Sequence, residues 1–198
     1  MAFLSAISAG RALRAAACAG LTLWLGAPLF ASAASPAASA APSPEYQIKA
    51  VFLFNFAQFV AWPAAAFADA QAPLVIGVLG EDPFGAQLDE AVRDEKIGEH
   101  PLQVQRYRRV DDIGACHILF ISGSESGQLD KILARLKGRS VFTVGDTETF
   151  NRAGGMVRFV TENKKIRLRI NVEAAKAVDL VISSKLLRPV MIFNSGKG

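Results

Sequence analysis

Three short segments bring hydroxyls and carboxylates together in a pattern that could hold a small molecule: Gly80-Glu81-Asp82, Ser122-Gly123-Ser124 and Gly145-Asp146-Thr147. Each follows an apolar run that reads as a buried strand. If those strands are neighbours, the loops converge on one crevice at the strand C-terminal ends, where open α/β sheets take their ligands. Glu81, Asp82, Ser122, Ser124 and Asp146 are the side chains such a crevice would offer. Against a phosphate ligand, Glu81, Asp82, Glu125 and Asp146 put negative charge where helix N-termini would otherwise attract an anion. The same residue types also serve plainly as caps of the helices that follow.

Catalytic chemistry has little to work with. His100 and His117 are the only imidazoles, the first in an expected loop and the second inside an expected strand. No His/Cys cluster or carboxylate pair has metal-ligand spacing, so no metal is expected. Gly77-Val78-Leu79-Gly80 followed by Gly85 lacks the dinucleotide fingerprint and the Lys-Ser/Thr of a phosphate loop, so no cofactor is expected either. Gly123-Ser124-Glu125-Ser126-Gly127 has Glu125 where a nucleophile elbow needs serine. By elimination the chain reads as a binding or regulatory domain and not an enzyme.

The elements that must position these residues follow from periodicity. Tyr46 to Val60 places Ile48, Val51, Phe52, Phe56, Phe59 and Val60 at helical spacing, Phe54 widens the stripe, and Trp62-Pro63 ends it. Leu74 to Leu79 is a buried strand, followed by a helix expected to be capped by Asp82 with Pro83 at its first position. Leu102 to Tyr107 alternates as a half-exposed strand. His117 to Ile121 is a second buried strand, and Leu129, Ile132, Leu133 and Leu136 then form one helix face ended by Gly138. Ser140 to Val144 returns to the sheet in parallel.

Beyond Gly145, Met156–Val160 and Ile166–Ile170 flank Glu162-Asn163 as an antiparallel hairpin. Its basic row Lys165, Arg167, Arg169 suits either protection of an edge or a partner patch. Asn171 can cap a last helix through Val178, with an apolar tail from Leu180 to Val190. The expected fold class is α/β: a three-layer α/β/α sandwich with a single mixed β-sheet flanked by helices.

Composition agrees with a single globular domain. Of 198 residues, 51% are hydrophobic and 20% charged, which excludes disorder, collagen-like repeats and coiled coil. Residues 1–33 read as a cleaved signal peptide: Arg11 and Arg14 precede an apolar run, and Ala31-Ser32-Ala33 supplies a small-x-small cleavage pattern. Residues 34–44 form an Ala/Pro/Ser-rich linker and residues 45–198 the folded domain, so the mature chain is expected to be exported. The net charge of +4 includes Arg11 and Arg14, so the remainder is only slightly basic and does not point to nucleic acid. Charge is nonetheless uneven: residues 34–103 hold three basic against nine acidic residues, and residues 104–198 hold 17 against nine. Cys116 is then the one remaining cysteine, so the mature chain has no internal disulfide.

Lys49-Ala50-Val51-Phe52-Leu53-Phe54-Asn55-Phe56-Ala57 with Trp62-Pro63, Gly77 through Gly85, and Cys116-His117-Ile118-Leu119-Phe120-Ile121-Ser122 together resemble the YfiR/HmsC-type periplasmic regulators. Gly154-Gly155-Met156-Val157, Ile170-Asn171 with Ala174-Ala175, and Ile182 to Leu187 extend the resemblance over about residues 45–190. It implies a small, often dimeric α/β protein that binds the periplasmic sensor domain of an inner-membrane diguanylate cyclase and holds it inactive, lowering cyclic di-GMP and biofilm formation. In the best-known system an outer-membrane, peptidoglycan-associated lipoprotein sequesters the repressor. Some relatives use disulfides; here only Cys116 matches. Partner surfaces read from this sequence are the exposed side of the first helix with Phe54, the Arg167/Arg169 row, and the tail Lys185, Leu187, Arg188. The alternative is a periplasmic small-molecule sensor using the strand-end crevice.

Overall fold

The computed structural model describes residues 43–187 and 191–192. The expected signal peptide, all but the last two residues of the linker, and Arg188 lie outside them.

Helix α1 (Pro44–Phe59) opens with proline at its first position, where the missing N–H costs no hydrogen bond. It runs directly into β1 (Val60–Ala61). The central strands are β2 (Leu74–Leu79), β4 (His100–Tyr107), β5 (Ile118–Ile121), β6 (Phe142–Gly145), β7 (Val157–Glu162) and β8 (Lys165–Ile170), with β3 (Lys96–Ile97) and β10 (Met191–Ile192) at the margins. Their order is β10-β8-β7-β6-β5-β2-β4-β3. From β4 to β7 all neighbours are parallel. β8 returns antiparallel through Asn163 and Lys164, both at positive φ as a primed hairpin turn requires.

Helix α2 (Ala86–Val92) joins α1 on one face of the sheet, where Leu53, Phe56 and Leu88 meet Ile76, Val78, Phe120, Phe142 and Phe159. Helix α3 (Leu129–Leu136) covers the other face, packing Leu129, Ile132 and Leu136 against Leu79, Leu119 and Ile121. The α/β class with a mixed sheet is therefore as expected, and β2 and β5 are buried throughout because both their faces are covered.

Three local expectations need correction. The inward face of α1 is Lys49, Ala50, Leu53, Phe56 and Ala57, while Ile48 and Val51 are 51% and 52% exposed. This helix is apolar nearly all round, so periodicity did not fix its rotation; two alanines let it lie close to the sheet. Helix α2 begins at Ala86 and not after Asp82, because Asp82 Oδ1 accepts from the Phe84 N–H in a local turn, and Gly85, at φ 55°, precedes the first helical residue. The tail is not one segment: Asn171 caps a short α4 (Val172–Lys176), then β9 (Val181–Ile182) pairs antiparallel with β1, and α5 (Ser184–Leu187) follows.

Candidate functional site

Parallel strands β2, β5 and β6 end side by side, so the loops beyond them share one edge of the sheet. Between the first two, the Glu81 N–H donates to Ser124 Oγ at 3.0 Å, and Ser122 Oγ accepts from the Ser124 N–H at 3.4 Å. Ser124 thereby ties two loops while Ser122 caps the turn that leads towards α3. Asp82 faces away from this pair: its Oδ2 accepts from Arg106 Nε at 2.7 Å, and the Arg106 guanidinium also forks onto Asp89 and reaches the Gly85 carbonyl. Hydrogen bonding to Arg106 holds Asp89 below the usual carboxylate range.

Asp146, just past β6, belongs to a separate cluster built with α1. Lys49 is 2% exposed, and its Nζ lies 2.7 Å from Asp146 Oδ2 and 2.8 Å from Glu45 Oε1. The Tyr46 hydroxyl donates to Asp146 Oδ2 at 2.9 Å, the ammonium stands 4.3 Å from the Tyr46 ring centroid, and Thr161 Oγ1 donates to Glu45 at 3.1 Å. Hydrogen bonding to Lys49 lowers the Glu45 pKa, while burial, reinforced by the Asp146 charge, raises that of Tyr46. One buried cation thus serves two carboxylates, the condition under which a buried charge is tolerated. These residues, with Arg158, Phe159 and Val160 on β7, line a crevice of about 400 Å³.

The five loop residues therefore fall into three groups: Glu81 with Ser122 and Ser124, Asp82 with Arg106, and Asp146 with Lys49. Lys49, Tyr46, Glu45, Thr161 and Arg158 were not foreseen as site residues. One sign was available: a lysine four residues after a glutamate in a mainly apolar helix, the spacing of an intrahelical ion pair.

On the surface, Phe54 is half-buried against the core, and the outward residues of α1 are Gln47, Ile48, Val51 and Gln58. Arg167 and Lys185 are exposed, Leu187 packs partly on the core, and Arg169 is half-buried, its Nη2 lying 3.9 Å from Glu162. A separate, mainly apolar groove of about 540 Å³ runs between α3 and the segment after α4, lined by Leu133, Leu136, Val141, Ala153, Met156 and Val178. Among the described residues no group of three or more His, Cys, Asp or Glu could hold a metal ion, and no helix is long and apolar enough to cross a membrane. Cys116 is a free thiol, buried beneath β2.

A family model described as YfiR/HmsC-like matches residues 46–189, a stretch that starts in the first turn of α1 and takes in every described element through α5. No curated protein matches the chain.

Proposed function

Since the chain belongs to the YfiR/HmsC-like family, a family of regulators in cyclic di-GMP signalling, we propose that it is a periplasmic, non-enzymatic repressor of an inner-membrane diguanylate cyclase. It binds the periplasmic sensor domain of that cyclase and favours its inactive arrangement. The family match over nearly the whole folded domain carries this reading. No reacting group is required: a tenfold preference for the inactive arrangement is about 1.4 kcal/mol, and that difference alone shifts the population. A peptidoglycan-associated lipoprotein of the outer membrane would relieve repression by competing for the same protein.

The outward face of α1 is the best-supported contact, because Ile48 and Val51 lie one turn apart and half exposed beside the partly buried Phe54. The same face would serve a homodimer. Arg167 and Lys185 supply further exposed cations for an acidic partner.

The test is deletion of the gene in its native host, with cellular cyclic di-GMP and surface attachment as readouts. Complementation uses the full chain, a chain without residues 1–33, and a full chain carrying Val51→Asp. A rise in both readouts on deletion, reversed by the full chain alone, is the expected outcome. Unchanged levels while the protein is expressed and exported overturn it.

A further inference from the structure

In the β7–β8 hairpin two arginines stand directly opposite each other, Arg158 against Arg169. Phe159 and Leu168, the next pair, point into the core shared with α1, so alternation turns Arg158 and Arg169, Val160 and Arg167, and Glu162 and Lys165 to the other face of the sheet. On that face α3 packs over Leu79, Leu119 and Ile121 of β2 and β5 and leaves the hairpin open. Lys165 and Arg167 are exposed and Arg169 is half-buried. Four cations there meet one carboxylate, Glu162, which lies 3.9 Å from Arg169.

Protection of a free strand edge accounts for only part of this row. β10 already pairs with β8 at Arg169 and Ile170. Arg158 lies inside the sheet, with Gly145 of β6 on one side and Arg169 on the other. Like charges directly opposed in a strand pair are destabilising. Among the described residues Arg158 has no ion-pair partner, and its Nε is buried without a hydrogen bond. Burial and then the Arg169 charge push the Arg158 guanidinium below its usual pKa; Arg152 adds to this, while Glu148 and Asp146 oppose it. A local rule broken inside an otherwise regular sheet marks a place kept for function.

We propose that the outer face of the β7–β8 hairpin is a docking surface for an acidic, extended segment of a partner protein, laid along Lys165, Arg167 and Arg169 with Arg158 behind them. Outward residues of β8 repeat about every 6.7 Å, the pitch at which an extended peptide presents alternate side chains. Carboxylates two residues apart in the partner therefore fall on successive cations, and Arg167 and Arg169 take them in forks. Val160, half-buried opposite Arg167, offers the segment an apolar contact in the middle of the row. A layer of anionic lipid headgroups fits less well, because Glu162 stands at the turn end of the same face and a uniform layer cannot avoid it. The surface is separate from the outward face of α1, and it stands whether or not a cyclase is the partner.

The experiment measures, by fluorescence anisotropy, binding of the purified protein to two labelled octapeptides of one composition. Threonine and aspartate alternate in the first, and the aspartates are contiguous in the second. The expected result is saturable binding of the alternating peptide, about fivefold tighter than that of the contiguous one, a modest ratio because each exposed ion pair contributes little. Added sodium chloride weakens it. Arg167→Glu abolishes binding and keeps the wild-type melting temperature, since Arg167 is exposed. Arg109→Glu, the same change of charge beyond β4 on the far side of the sheet, keeps binding. Phosphatidylglycerol vesicles form the third arm. No saturable peptide binding, equal affinity for the two peptides, binding that survives Arg167→Glu, or capture by the vesicles without peptide binding overturns the proposal.

Discussion

Lys49 and Asp146 stand 97 residues apart in the chain and 2.7 Å apart in the fold. Their side chains are 3% and 15% exposed, so this contact joins the first helix to the sheet where water screens it little.

Replacing Lys49 by Met or Asp146 by Asn leaves the other group in that setting with its main partner gone. Each change is expected to cost about 3 kcal/mol, the lower end for a broken buried pair, since Asp146 keeps some solvent. Urea unfolding measures the loss. The double replacement is expected to cost less than the two single losses added together.

Phe150 lies against Gly155 so closely that a Cβ there would come 2.2 Å from its ring. Gly155→Ala should therefore destabilise by about 1–3 kcal/mol through overpacking. Adding Phe150→Leu, which removes the edge of the ring, should recover part of the loss, again read from the urea midpoint.

His117 accepts from the Val75 N–H through Nδ1 and donates to the Ala66 carbonyl through Nε2, so its neutral form is the one the fold uses. Burial lowers its pKa below 6.5, the Ala66 carbonyl opposes this, and His100, on the other side of the Phe67 ring, adds to it. The unfolded chain thus takes up a proton as pH falls through 6.5, while the folded chain does so only at lower pH. The His117 contribution is complete above 6.5 and declines below it. The fall in urea midpoint across this window should be shallower in His117→Gln, which keeps a donor and an acceptor but does not titrate.

The Cys116 thiol, buried and donating to the Ile118 carbonyl, has its pKa pushed up to about 12. Reaction with a maleimide near neutral pH should be negligible in the native state and rapid in urea. Fast native labelling would refute the burial described here.

Legibility from the sequence tracked the range of the interactions involved. Leu74–Leu79 and Ile118–Ile121 were readable because a strand covered on both faces is an unbroken apolar run. The β7–β8 hairpin and the Asn171 cap were readable because their signals are local. The rotation of α1 was not: with Ile48, Val51, Leu53, Phe54 and Phe56 spread around the helix, only the sheet beneath it selects the inward side. The α2 start was misplaced because Asp82 serves a turn and Arg106 at once. The Lys49 cluster needed Asp146 from the far end of β6, a distance no local pattern spans. The β1–β9 pairing escaped notice because two-residue strands have no period.

That pairing has a consequence for how the protein is made. Val60 and Ala61 find their partners only at Ile182 and Val181, and the Ser183 N–H closes onto the Phe59 carbonyl. A chain emerging from its N-terminus therefore carries Leu53 and Phe56 uncovered until β6, β7 and β9 have all been synthesised. Long-range closure of this kind makes folding slow. During export to the periplasm, the delay keeps the polypeptide threadable through a narrow channel, and β1 closes on β9 only on the far side.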